Sequence, residues 1–128
     1  MKKGFTLLEL IVVIIIIGIL ATLGFTQYTK VIERGRTAEA KAILGQIRTA
    51  QEAYKQENGN YTATMGNLAV EPPTACATTH YFLYSCDATT ATATRCGIGT
   101  GKTPGAAIPY AVTVNYATGV WGGTAGYY

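Results

Sequence analysis

Residues 1–21 read MKKGFTLLELIVVIIIIGILA, a short basic leader followed by an aliphatic run that begins around one carboxylate, Glu9. No charged side chain occurs from Leu10 to Thr29. About 20 apolar residues in a helix span ~30 Å, the thickness of a bilayer's hydrocarbon core. The run continues without the small-residue cleavage site that ends a secretory signal, so it predicts a membrane-spanning helix. An ionised carboxylate is costly in hydrocarbon, which makes Glu9 a candidate functional residue that needs a partner.

The remainder of the chain is small and nearly neutral. The protein has 128 residues, a hydrophobic fraction of 48% and a charged fraction of only 13%, so about a hundred residues remain for a globular part with little room for a deep active-site cleft. From Gly59 onward the charged residues are Glu71, Asp87, Arg95 and Lys102, which cancel. Nucleic-acid binding needs clustered cations, and this balance argues against such a partner.

The segment from residue 30 to residue 61 has the pattern of an amphipathic helix. Apolar side chains recur at helical spacing, at Ile43, Ile47, Ala50 and Tyr54. The chain has no proline before this stripe, so the sequence predicts one continuous helix from the membrane segment to about Asn58. Asn58, Gly59 and Asn60 follow, and these residue types stop helices. We expect a downstream sheet to cover the apolar stripe.

The C-terminal half has the pattern of short antiparallel strands. Residues 80–86 (HYFLYSC) and 89–96 (TTATATRC) read as a hairpin joined near Asp87 and Ala88. In residues 108–116 (IPYAVTVNY), apolar and polar residues alternate as in a half-buried strand. A further strand is expected near Trp121. The predicted fold class is therefore α+β, with a long N-terminal helix packed against a small antiparallel sheet.

Three cysteines in a chain with a membrane-targeting start indicate an oxidising compartment. If the hairpin tip lies at Asp87, Cys96 faces Thr79 and lies near Cys76, whereas Cys86 lies ~23 Å along the strand from the position opposite Cys96. A disulfide needs Cα atoms within about 7 Å, so this register favours a Cys76–Cys96 bridge with Cys86 free. If residues 87–95 form a loop instead, Cys86–Cys96 becomes possible.

Metal and enzyme chemistry are poorly supported. The set Cys76, Cys86, Cys96 and His80 could ligate zinc by number, but ten-residue spacings lack the close cysteine pair of a zinc site. His80 is the single histidine, and a lone histidine in a strand is more often a packing residue than a base. Residues 97–103 (GIGTGKT) lack the spacing of a phosphate-binding loop. We expect no cofactor, no metal and no enzymatic activity.

The order of pieces at the N-terminus resembles one family closely. A basic leader, Gly4, Phe5, then TLLEL and a long aliphatic run is similar to type IV pilins and to the related pseudopilins of type II secretion, over residues 1 to about 26. In that family a membrane prepilin peptidase cuts after the glycine and methylates the new amino terminus. The resemblance implies cleavage between Gly4 and Phe5 and N-methylation of Phe5.

The resemblance also implies a pilin fold with four parts. These are a leader (1–4), a transmembrane and filament-core helix (5–29), an amphipathic continuation of that helix (30–58) and a small β-sheet head (59–128). The amine of Phe5 on an incoming subunit would pair with the carboxylate of Glu9 on a neighbour, away from water.

Gly18 and Gly24 are candidates for local melting of the helix during assembly. Pilin helices of this family are reported to melt in this stretch, and glycine weakens a helix. This sequence has Thr26 where pilins usually have a proline, so any melting here would depend on the two glycines.

The resemblance implies a structural subunit of a type IV pilus. Its expected partners are copies of itself, the prepilin peptidase, the inner-membrane assembly machinery and, before assembly, the inner membrane; its final location is the cell surface. One alternative is a major pseudopilin of a type II secretion system. Such pseudopilins usually carry an acidic calcium site near the C-terminus, whereas this chain has no Asp or Glu after Asp87, which favours a pilus. Another is a membrane-anchored or filament-tip module that binds DNA or a surface, with Arg95 and Lys102 presented together on loops.

Overall fold

The computed structural model describes residues 3–106 and 109–128. Met1 and Lys2 of the predicted leader, and Ala107 and Ile108 where a predicted loop meets a predicted strand, lie outside the described residues. The chain divides into two compact units, Met1–Glu33 and Arg34–Tyr128. The elements are helix α1 (Leu7–Asn58), a short 3-10 helix (Met65–Asn67) and strands β1 (Phe82–Cys86), β2 (Thr90–Arg95), β3 (Ala111–Asn115) and β4 (Trp121–Gly123).

Helix α1 ends where the sequence predicts. It runs to Asn58, and Gly59 follows with φ +85°, a left-handed conformation that glycine adopts without steric cost. The Gly59 N–H donates to the carbonyl of Lys55 at 2.7 Å, which satisfies one of the last helical carbonyls.

The buried face of α1 differs from the predicted stripe. The fully buried positions in the second unit include Ala40, Leu44, Ile47 and Gln51. Of the predicted stripe only Ile47 is fully buried, whereas the other three side chains pack at its margin. The predicted stripe is therefore covered, but the fully buried line of α1 is rotated from it and includes a polar residue, Gln51, that a hydrophobic pattern does not reveal.

The four strands form one antiparallel sheet in the order β1-β2-β3-β4. The alternation predicted around β3 is confirmed: Tyr110, Val112, Val114 and Tyr116 are buried, and the residues between them are half-buried. These four side chains belong to the same buried cluster as Leu44 and Ile47 of α1. The observed architecture is thus the predicted α+β fold, with the second half of α1 packed on a small sheet.

The β1–β2 hairpin has a different register from the predicted one. Phe82 pairs with Arg95, and the Cys96 N–H donates to the Tyr81 carbonyl at 2.9 Å, so Cys96 does not face Thr79. The tip lies beyond Asp87, because the Asp87 carboxylate accepts hydrogen bonds from the N–H groups of Thr89 and Thr90 at 2.6 and 2.7 Å. This local side-chain bond closes the turn.

Candidate assembly site

The predicted cleavage position lies just before the first helical residue. Helix α1 begins at Leu7, and Gly4 and Phe5 precede it in an irregular, exposed segment. The Phe5 side chain is 83% exposed. The peptide bond between Gly4 and Phe5 is therefore accessible to a protease that requires extended, unprotected backbone.

Thr6 and Glu9 form a capping box at the start of α1. The Thr6 hydroxyl and N–H donate to Oε2 of Glu9 at 2.6 and 2.9 Å, and the Glu9 N–H donates to the Thr6 hydroxyl at 3.3 Å. Reciprocal bonds of this kind satisfy N–H groups that have no partner within the helix. Our sequence reasoning missed this contact, although the threonine and glutamate three residues apart are its signal.

The capping box fixes the Glu9 carboxylate at the helix N-terminus, four residues after Phe5. Both bonds from Thr6 end on Oε2, and within the described part of the chain Oε1 accepts no hydrogen bond. The partial positive charge of a helix N-terminus favours a carboxylate there. The arrangement therefore holds a negative charge with one oxygen open to a further cation.

The aliphatic run beyond Glu9 is exposed along its length within its own unit. Every residue from 3 to 30 is exposed, and even Ile11, the least exposed large apolar side chain of this segment, is 43% exposed. By length and composition, α1 is able to cross a membrane. A surface of this size and character marks contact with lipid or with other protein.

Hydroxyl groups within the aliphatic run are satisfied by the helix itself. Thr22 donates to the carbonyl of Gly18 at 2.6 Å, Thr26 to that of Leu23 at 3.1 Å, and Thr29 to that of Thr26 at 3.0 Å. Such back-bonding lets threonine lie in an apolar environment without an unpaired polar group. The helix stays regular through Gly18 and Gly24 in the single chain.

Two of the three cysteines form a disulfide in the head. The structure has a Cys76–Cys96 disulfide with Cα atoms 5.8 Å apart, and Cys86 is a free, half-buried thiol. Burial, with a smaller contribution from the negative charge of Asp87, raises the pKa of the Cys86 thiol. Because β2 is a strand that includes Thr90–Arg95, the Cys86–Cys96 alternative is wrong. Two of the four residues that could ligate zinc by number, Cys76 and Cys96, are thus joined to each other in this structure.

His80 lies in the loop just before β1 and is half-buried. Its Nε2 lies 2.6 Å from the carbonyl oxygen of Ala75, and its Nδ1 lies 3.0 Å from the hydroxyl of Thr79. Both ring nitrogens therefore have local partners. These contacts tie His80 to the loop that includes Ala75 and Thr79.

Arg95 is not presented on a loop. It is the last residue of β2 and is only 1% exposed, whereas Lys102 is exposed in the following loop. The expectation that Arg95 and Lys102 jointly form a surface on loops was wrong, because the inward side of β2 includes Arg95.

Two family profiles match this chain. The profile described as "Type IV pilin-like G and H" matches residues 37–121. The profile of the prokaryotic N-terminal methylation motif matches residues 1–25. This chain belongs to the type IV pilin-like family. That family consists of structural pilin subunits.

Its relatives include a type IV pilin, a type IV fimbrial protein and a core protein of a type II secretion system. The chain is 36% identical to the type IV major pilin protein PilA of Myxococcus xanthus over 56% of its own length and 32% of that protein. It is 46% identical to the type IV major fimbrial protein FimA of Dichelobacter nodosus over 41% and 33%. It is 36% identical to the type II secretion system core protein G of Pseudomonas aeruginosa over 57% and 53%. These matches thus span about a third to a half of each relative.

Proposed function

We propose that this pilin-like chain is a structural subunit of a type IV pilus. A prepilin peptidase cleaves it between Gly4 and Phe5 and methylates the new amino terminus of Phe5. The subunit waits in the inner membrane, and assembly machinery then polymerises it through its N-terminal helix into a filament on the cell surface. Its role is mechanical, so the residues that matter most are those that control processing and packing.

The observation that carries this proposal is the position of Glu9. The carboxylate stands at the start of α1, held by Thr6 through one oxygen, directly before an uncharged run that extends to Thr29. Cleavage before Phe5 creates a cationic amine one helical turn away from it in sequence. In a stack of staggered helices, the amine of one subunit meets the open oxygen of Glu9 on the next.

The exposed aliphatic run supports the polymer as the final state. Its apolar side chains are exposed from Leu10 to Phe25. Lipid covers this surface before assembly, and equivalent helices of other subunits cover it afterwards. In the filament, the amine and Glu9 become buried together as an ion pair. Removal of one partner from a buried pair typically lowers stability by ~3–5 kcal/mol.

The proposal is tested by shearing filaments from cells that produce the chain. Glu9→Gln keeps an oxygen that accepts from Thr6 and removes the charge, so we expect the subunit to stay in the membrane fraction with little in the sheared fraction. Glu57→Gln, an exposed site near the end of α1, makes the same chemical change and should assemble normally. Equal filament yields from both variants would overturn the role of Glu9.

A pseudopilin of a type II secretion system is the second candidate, and the match to core protein G favours it. The sheared fraction separates the two readings, because a pseudopilin stays within the cell envelope and its loss blocks secretion. The third candidate, a DNA-binding or surface-binding module, is weakened by the burial of Arg95, which leaves Lys102 without that cation beside it on the surface.

A further inference from the structure

Three cations converge on the ring of Tyr81 at one end of the sheet. The Cζ atoms of Arg36 and Arg95 lie 4.5 and 4.9 Å from the ring centroid, and Nζ of Lys102 lies 5.0 Å from it. The three side chains come from α1, from β2 and from the loop after β2. We call Tyr81, Arg36 and Lys102 the basic patch, since Arg95 is buried beneath them.

The scaffold beneath the basic patch is well fixed. Arg95 donates to the carbonyls of Tyr81 and Pro104 at 3.1 and 2.8 Å, and Arg36 donates to the same Pro104 carbonyl at 3.5 Å. Both arginines therefore hold the loop that includes Lys102 against the sheet. A ring face offsets part of the repulsion among the cations.

Lys102 itself is placed by the backbone. Its N–H donates to the carbonyl of His80 at 3.0 Å. The preceding residue, Gly101, lies against the disulfide so closely that a Cβ there would stand 2.3 Å from Cβ of Cys96. The disulfide and β1 thus fix the position from which the Lys102 side chain extends.

An exposed carboxylate stands at the opposite end of β1. The Lys102 N–H donates to the carbonyl of His80, which lies just before β1, whereas Asp87 follows the last residue of that strand. Seven extended residues span roughly 23 Å, so Lys102 and Asp87 of one chain do not touch. The Asp87 carboxylate is held in place by the N–H and hydroxyl groups of Thr89 and Thr90, the hydroxyls at 2.8 Å each, which fixes its orientation while the residue stays exposed.

We propose that the basic patch receives the Asp87 carboxylate of a second copy of this chain, with Lys102 as its direct partner. This inference rests on the proposed polymerisation and names the contact between heads. Opposite charges at opposite ends of one strand make a head-to-tail contact between unlike surfaces, which continues as an open filament unless its rotation closes a ring. Isologous pairing of two basic patches would instead place like charges together.

Other charged groups near this end do not change the sign of the patch. Arg34 adds a further cation and donates to the carbonyl of Gly126 at 3.2 Å. The acids nearby in sequence on α1 are Glu33 and Glu39. The four cations Arg34, Arg36, Arg95 and Lys102 outnumber these two acids, so an incoming carboxylate meets a net positive charge at this end of the head.

A water-soluble carbodiimide tests the contact on wild-type filaments. This reagent condenses a carboxylate and an amine in direct contact to an amide and leaves as its urea. Digestion and mass spectrometry should then show a peptide in which Asp87 is joined to Lys102. Because the two residues lie too far apart within one chain, that product is intermolecular, and it should be missing from the detergent-solubilised subunit.

Asp87→Asn should abolish the cross-link and lower the filament yield. Because this change also weakens the β1–β2 turn, Lys102→Gln, which leaves the turn intact, should lower the yield as well. Glu71→Gln, at an exposed position in the loop before β1, is the matched control and should change neither. Filaments in which Lys102 couples only to other carboxylates, or to none, would overturn this contact alone. Failure of the wild-type chain to form filaments would overturn the proposed function. Salt-sensitive binding of duplex DNA through Lys102 would assign the patch to nucleic acid and overturn the contact.

Discussion

Gln51 of α1 and Thr62 of the head exchange two hydrogen bonds. Nε2 of Gln51 donates to the Thr62 carbonyl at 2.7 Å, and the Thr62 N–H donates to Oε1 of Gln51 at 3.0 Å. Gln51 is fully buried and Thr62 is 8% exposed. The Gln51 amide thus satisfies both backbone groups of Thr62, which lies just after the end of α1. This pair ties the end of the helix to the sheet-bearing part of the molecule.

Gln51→Leu should lower the free energy of unfolding by about 2–4 kcal/mol, because two buried backbone groups lose their partners and each costs ~1–3 kcal/mol. Urea unfolding of the full chain in detergent, followed by Trp121 fluorescence, measures the change. Gln56→Leu, at an exposed position on the same helix, should stay within ~0.5 kcal/mol of wild type. Equal stability of the two variants would show that the pair does not anchor the helix.

Loss of the disulfide should lower the stability of the folded chain more than loss of the free thiol. The bridge closes a loop with a sequence separation of 20, which corresponds to ~3 kcal/mol in the chain-entropy description. The double variant Cys76→Ser with Cys96→Ser should therefore unfold at a clearly lower temperature, whereas Cys86→Ser should shift it little. Denatured, unreduced chain should react with one thiol reagent per molecule; three reacting thiols would contradict the bridge.

The β1–β2 turn should weaken in acid. Burial raises the pKa of Asp87, but hydrogen bonds from Thr89 and Thr90 outweigh this and bring its pKa to about 2 from 3.8. Because the folded-state pKa is the lower one, the stabilisation is present above pH 3.8 and is lost as the pH falls to about 2. Melting temperatures of wild type and Asp87→Asn should converge over this window. A constant difference between the two melting temperatures down to pH 2 would show that the ionised Asp87 carboxylate does not stabilise the turn.

Gly18 and Gly24 should affect filament assembly but not the amount of subunit in the membrane before assembly. Nothing lies within 4 Å of a Cβ added at either residue, so alanine fits the single chain and stabilises the helix by up to ~1 kcal/mol per site. If this stretch melts during polymerisation, Gly18→Ala with Gly24→Ala should lower the yield of sheared filaments while leaving the membrane level unchanged. Filaments at wild-type yield would mean that the stretch remains helical.

The large features of the fold were predictable because each has a local cause. An uncharged run of aliphatic residues, a chain without proline up to Glu57 and a glycine after Asn58 define α1. Strict alternation around β3 separates its buried and half-buried faces. The choice of disulfide followed from the hairpin as a whole and survived a register error of two positions, since Cys76 reaches Cys96 from a loop.

The errors have a common physical origin in polar side chains that act as backbone partners. Gln51 lies at the centre of the buried face, Asp87 moves the tip of the hairpin, and Arg95 binds carbonyl groups from inside. Hydrophobic periodicity treats all three as surface residues. At the candidate site, the cost of a charge in an apolar run marks Glu9, whereas its bond to Thr6 is signalled only by the spacing of three residues between a threonine and a glutamate.

The most direct test of the account is the intact mass of this protein recovered from sheared surface filaments. We predict a chain that lacks residues 1–4, is heavier by one methyl group and is lighter by the two hydrogens lost to one disulfide. That mass would show that the chain cleaved before Phe5 is the chain that polymerises into filaments. Full-length chain found in the membrane fraction alone would contradict the account, since Glu9 would then belong to an ordinary membrane anchor.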